Sequence, residues 1–82
     1  MSTLRYWAAV KAEAGLAEQV LAATDLAALL EAARVGKSER FVTVLGRCSY
    51  VVDGDPVGGR DHHSVALTDA SVVDALPPFA GG

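Results

Sequence analysis

The segment Thr24–Gly36, TDLAALLEAARVG, constrains the fold of this chain more than any other stretch. Leu26, Leu29, Leu30 and Ala33 follow the i, i+3, i+4, i+7 spacing that places them on one face of a helix. Thr24 is positioned to cap the first free N–H groups, and Asp25 in the first turn suits the positive helix end. Gly36 suits the left-handed residue just past the last turn. A leucine stripe of this kind must be covered. With 82 residues the chain has room for one small domain and one core. The cover therefore has to come from the flanking segments.

Those segments read as strands. LRYWAA (Leu4 to Ala9) alternates, with Leu4, Tyr6 and Ala8 on one face and Arg5, Trp7 and Ala9 on the other. KAEAG breaks at Gly15, and AEQVLAA (Ala17 to Ala23) reads as the return strand of a hairpin. SERFVTVLG, from Ser38 to Gly46, reads as a second short helix, with its Val-Thr-Val run leaving a strand as the alternative. Tyr50, Val51 and Val52 favour a strand, followed by turn chemistry at Asp53-Gly54-Asp55-Pro56. RDHHSVALTDA is mostly loop, and Ser71 to Leu76 is a last strand ended by Pro77-Pro78. There is no internal repeat and no linker. The order β-β-α-(α)-β-β-β predicts an α+β two-layer domain, with the main helix on one sheet face and the other face open.

Composition removes several classes of function. The chain is 51% apolar and 21% charged, which fits a folded soluble domain. A net charge of -3 without a Lys/Arg cluster argues against nucleic-acid binding. No apolar run approaches the roughly 20 residues of a membrane helix, and MSTLRYWAAV lacks the pattern of a secretory signal. The lone Cys48 permits no intrachain disulfide, so the cytoplasm is the expected compartment.

Catalytic and ligand motifs are equally sparse. GDPVGG is followed by loop rather than by a helix N-terminus, so its glycines read as turn residues and not as a phosphate cradle. Asp61, His62 and His63 lack the further converging ligands that a metal needs. Cys48 has no basic partner in the sequence and reads as a small buried hydrophobe. No G-x-S-x-G elbow occurs. Internal catalysis is not expected.

The ending, LPPFAGG, is the informative motif. At ordinary glycine usage a Gly-Gly ending arises by chance in roughly one chain in two hundred. The order of residue types is also mechanical. Pro77-Pro78 force a stiff, extended exit from the last strand. Phe79 offers an apolar anchor beyond the fold, Ala80 is small, and Gly81-Gly82 are slender enough to thread a narrow channel. Such an arm would deliver the α-carboxylate of Gly82 into another protein's active site. If the first and last strands pair, Trp7 and Leu76 share the open face near the root of this arm, with Pro56 and Val57 at its border. An exposed apolar patch there would be a protein-docking surface.

These residues resemble a known family. LRYWAAVKAEAG, the TDLAALLEAA helix, VVDGDPV, LTDASVV and above all LPPFAGG are similar to the MoaD/ThiS-type ubiquitin-like sulfur carriers. The Pro-Pro, large apolar, small, Gly-Gly order favours the branch of the molybdopterin synthase small subunit. The resemblance implies an α+β ubiquitin-like β-grasp fold: a mixed sheet with one main helix packed on one face. Residues 1–76 would form the domain and residues 77–82 the extended tail. It implies that the Gly82 carboxylate is adenylated, converted to a thiocarboxylate, and used to donate sulfur to cyclic pyranopterin monophosphate in molybdenum cofactor biosynthesis. Pro77, Pro78, Phe79, Ala80 and Gly81 would insert into the large synthase subunit, and Trp7, Pro56 and Leu76 would form the partner patch.

The implied partners are that large subunit, a ubiquitin-activating-type adenylyltransferase and a sulfurtransferase. The chain itself would bind no cofactor; ATP and the pterin would sit on partners. Asp69-Ala70-Ser71 and Asp74-Ala75-Leu76 depart from the family pattern, so a different turn and a smaller patch are expected. The alternatives are a carrier for thiamine, cysteine or another thio-metabolite, a ubiquitin-like protein modifier, and a plain interaction module.

Overall fold

In the computed structural model, which describes residues 1–78, the leucine stripe packs where its period directs it. Leu26, Leu29, Leu30 and Ala33 are the buried residues of helix Leu26–Arg34. They face a sheet made of β1 (Ser2–Tyr6), β2 (Glu18–Leu21), β3 (Ser49–Val52), β4 (Asp55–Pro56) and β5 (Val72–Leu76). Three helices accompany it: α1 (Ala8–Ala14), α2 (Leu26–Arg34) and α3 (Glu39–Gly46). Among the described residues the five strands form one mixed sheet in the order β2-β1-β5-β3-β4. β1 and β5 run parallel at its centre, with Leu4 beside Val73 and Tyr6 beside Ala75. The other pairings are antiparallel.

A single core lies between the helices and one sheet face. Leu4, Tyr6, Val73, Ala75 and Tyr50 come from the strands, and Val10, Phe41 and Leu45 join the α2 stripe from the other helices. Tyr6 and Phe41 meet edge to face, with ring centres 5.4 Å apart. The polar atoms that enter this layer are partnered. The Tyr6 hydroxyl donates to Gln19 Oε1 at 2.8 Å, and Lys37 Nζ donates to the same oxygen at 2.9 Å and to the Ala33 carbonyl at 3.1 Å. The Tyr50 hydroxyl donates to the Leu45 carbonyl.

Several local expectations are corrected. LRYWAA is not one strand: β1 ends at Tyr6, Trp7 is the N-cap of α1, and the chain turns sharply at Ala8 with φ +50°. AAVKAEA consists largely of strong helix formers, and their propensity outweighs an alternation that alanines satisfy on either face. Gly15 caps α1 at φ +75°, its N–H donating to the Lys11 carbonyl. The first two strands are therefore joined through a helix rather than a tight hairpin, and the return strand is shorter than Ala17–Ala23. The N-cap of α2 is Asp25, not Thr24: Asp25 Oδ1 accepts from the Ala28 N–H at 2.8 Å. Thr24 is held outside the helix, its carbonyl accepting from the Leu67 N–H at 3.0 Å.

SERFVTVLG is helical, capped by Ser38 and anchored by Phe41 and Leu45 on one face. Asp53 and Gly54 have φ of +50° and +84°, the two positive values of a type I′ hairpin turn between β3 and β4. His62–Ser64 form a 3-10 turn inside the expected loop. Just past β5, Pro77 is buried and Pro78 exposed. Phe79, Ala80, Gly81 and Gly82 lie outside the described residues.

Candidate functional site

The sheet face away from the helices is set out by register. One row across it is Val20, Thr3 and Val72. The next is Glu18, Arg5, Asp74, Val51 and Pro56. The third holds Leu76 and Ser49, with Trp7 just beyond the end of β1. Apolar side chains thus lie on both sides of a charged line. Val20, Trp7 and Leu76 are 55%, 46% and 37% exposed, large values for residues of this type.

The charged line is tightly organised at its centre. Arg5 and Asp74 make a two-pronged ion pair, Nε to Oδ1 at 2.7 Å and Nη2 to Oδ2 at 3.0 Å. Trp7 Nε1 donates to the same Asp74 Oδ1 at 2.8 Å. The Arg5 guanidinium also lies 5.7 Å from the centre of the Trp7 ring. The hydrogen bonds from Arg5 hold the Asp74 carboxyl below the usual carboxylate range; partial burial opposes this and the Trp7 hydrogen bond adds to it. At the opposite end of the sheet, Met1 and Asp69 are paired at 2.6 Å through the α-amino group. The Asp69-Ala70-Ser71 turn is closed by the Thr68 N–H donating to Ser71 Oγ at 2.9 Å.

Trp7 and Leu76 occur together on this face, at the end of β5 from which Pro77-Pro78 depart. Pro56 is on the same face but two strands from β5, about 10 Å across the sheet at ordinary strand spacing. Val57 does not border the face. Its N–H donates to the Tyr50 carbonyl at 2.9 Å, and its side chain is buried in the core. Val20 and the pair Arg5–Asp74 are the members that motif reading passed over. Their parity with Trp7 and Leu76 was visible along each strand, but their juxtaposition depends on register.

The other candidate residues are placed as follows. His62 is half-buried and edge-on to Tyr50, with ring centres 5.4 Å apart. Asp61 Oδ1 accepts from the His63 N–H at 3.0 Å. Among the described residues no group of three or more His, Cys, Asp and Glu is arranged to hold a metal ion. The Cys48 thiol donates to the Val44 carbonyl at 3.3 Å, and burial pushes its pKa up to about 11, so it is protonated at neutral pH. No described helix is long and apolar enough to cross a membrane.

Neither a protein-family model nor a curated protein sequence matches the chain. Solved structures do. The solution structure of small archaeal modifier protein 1 from Methanosarcina acetivorans superposes with a TM-score of 0.83 at 16% identity, covering 99% of this chain and 95% of that one. The chain has the ubiquitin-like β-grasp fold. A chain in the complex of subunits 1 and 2 of the molybdopterin-converting factor from Helicobacter pylori 26695 matches this β-grasp domain with a TM-score of 0.67 at 25% identity. That match covers 99% of this chain and 97% of the other. Both neighbours are consistent with the MoaD/ThiS-type ubiquitin-like family that the tail resembles.

Proposed function

We propose that this β-grasp protein is a sulfur carrier, the small sulfur-donating subunit of a molybdopterin synthase. The observation that carries the reading is the root of the LPPFAGG motif: its Leu76 closes β5, exposed on the open face with Trp7, and Pro77-Pro78 leave the strand there. The full-length likeness to a chain of the molybdopterin-converting factor complex supports it. In this reading the open face docks on partners, Pro77, expected in the inserting arm, stays packed at its root, and the chain beyond it enters their active sites. The Gly82 carboxylate attacks the α-phosphorus of ATP on an adenylyltransferase and pyrophosphate leaves. Sulfide supplied through a sulfurtransferase then displaces AMP, leaving a thiocarboxylate. A carboxylate is a poor electrophile, and adenylation gives it a leaving group; the partner supplies the charge stabilisation at the reacting carbonyl. The large subunit then receives the tail and holds the pterin that accepts the sulfur. The carrier contributes the transferred atom and the docking surface, and is not catalytic by itself. The cytoplasm is the proposed compartment.

A second reading is favoured by the structural likeness to small archaeal modifier protein 1: a ubiquitin-like modifier whose Gly82 is joined to lysines. Intact-mass analysis of the protein from its own cells separates the two. Exchange of one oxygen for sulfur, mapped to the peptide ending in Gly82 and reactive toward a thiol alkylator, is the result expected of the carrier. Gly82 recovered in isopeptide linkage would make the protein a modifier. A bare tail in cells active in both pathways would remove both readings.

A further inference from the structure

Trp7 is 46% exposed, yet its indole N–H is not left to water. It donates to Asp74 Oδ1 at 2.8 Å, and that one oxygen also accepts Arg5 Nε at 2.7 Å. The second carboxylate oxygen takes Arg5 Nη2 at 3.0 Å, and the guanidinium lies 5.7 Å from the indole ring centre. Three side chains on the open face therefore form a closed set of contacts around Asp74.

We propose that Asp74 is the positioning residue of the docking face: it holds the Trp7 indole in the orientation that a partner binds. The inference rests on the proposed carrier reading, in which the open face docks on the large synthase subunit. Trp7 lies between the end of β1 and the sharp turn at Ala8, and packing covers only about half of it. Without a polar tether an indole at such a corner exchanges rotamers, and a partner must immobilise it on binding. Asp74 is suited to be that tether. It lies in the central strand β5, level with Arg5 on one side and Val51 on the other. Its side chain is only 16% exposed, and the two-pronged contact with Arg5 fixes the plane of the carboxylate. Oδ1 is thereby aimed at the indole. Asp74 need not touch the partner; it acts through Trp7.

The chain holds one tryptophan, so its indole N–H resonance and its fluorescence report on Trp7 alone. The test compares wild type, Asp74→Leu, Asp74→Asn and Trp7→Ala. It measures indole N–H exchange, and affinity for the purified molybdopterin synthase large subunit of the same organism. Asn retains the Oδ1 acceptor and Leu removes it. Asp74→Leu is expected to speed exchange of the indole N–H and to weaken binding about 3- to 10-fold. Asp74→Asn is expected to restore slow exchange and most of the affinity, and Trp7→Ala to weaken binding more than Asp74→Leu does. Wild-type affinity in Asp74→Leu beside a weakened Trp7→Ala would overturn the inference and leave the docking surface standing. Equal losses in Asp74→Leu and Asp74→Asn would overturn it in favour of a pure charge effect. A wild-type chain that does not bind would overturn the docking reading, and the inference with it, whatever the indole signal.

Discussion

On the helix side of the sheet, β1 and β5 present Leu4, Tyr6, Val73 and Ala75, all buried against the helices. On the other side the same two strands present Thr3, Arg5, Val72, Asp74 and Leu76. Backbone and hydrogen-bond ladder are shared, so the contrast comes from side chains alone. The inner face is held by area removed from water, roughly 25 cal/mol per Å². The outer face is held by a few directed contacts around one carboxylate, each of small net worth. Under the proposed function, stability and recognition fall on opposite sides of one sheet, and substitutions should separate them.

Phe41→Ala is the strongest way to break this division. Phe41 is fully buried against Tyr6, and its removal should lower unfolding free energy by about 3–5 kcal/mol in a urea titration. Trp7→Ala should do the opposite. Stability should stay within about 1 kcal/mol of wild type, while affinity for the large subunit falls by about 2 kcal/mol, read by calorimetry. A Trp7→Ala variant that unfolds like Phe41→Ala would mean that the outer face is also structural. Asp25→Ala sharpens the inner side: loss of the hydrogen bond to the Ala28 N–H should cost about 1 kcal/mol of stability and leave binding unchanged.

The smallest effect is one of pH. Asp74 has a folded-state pKa below its unfolded value of about 3.9. Its stabilising contribution is therefore fully present above that value and is lost as pH falls through the folded pKa. The stability difference between wild type and Asp74→Asn should shrink as pH is lowered below about 4. The carboxyl carbon resonance of Asp74 should titrate below the usual carboxylate range, and Arg5→Ala should move it upward.

Much of the inner face was legible because its signal is periodic within one segment. The stripe of α2 needed no partner to be recognised, and β5 was bounded by its prolines. α1 was not legible for a physical reason. Val10 is its one buried residue, so it has no stripe, and the alanines around it carry no facial information. α3 was ambiguous because Val42, Thr43 and Val44 are β-branched, while its two anchors Phe41 and Leu45 stand four residues apart. On the outer face the parity of Trp7 and Leu76 could be read, but the meeting of Arg5 with Asp74 could not. That contact depends on how two distant strands align, and no local rule fixes the alignment. Val57 was misplaced because β4 is only two residues long, and the chain turns inward directly after it.

The parallel pairing of β1 with β5 also governs when the protein becomes a folded object. β1 and β5 occupy the middle of the sheet, although one lies at residues 2–6 and the other at residues 72–76. A nascent chain leaving the ribosome can form its helices and the β1–β2 pair early. It cannot join them to the β3–β4 hairpin until β5 fills the slot between β1 and β3. Completion of the sheet therefore waits for the last strand in sequence, and the root of the residues that follow β5 is fixed only when the whole sheet is.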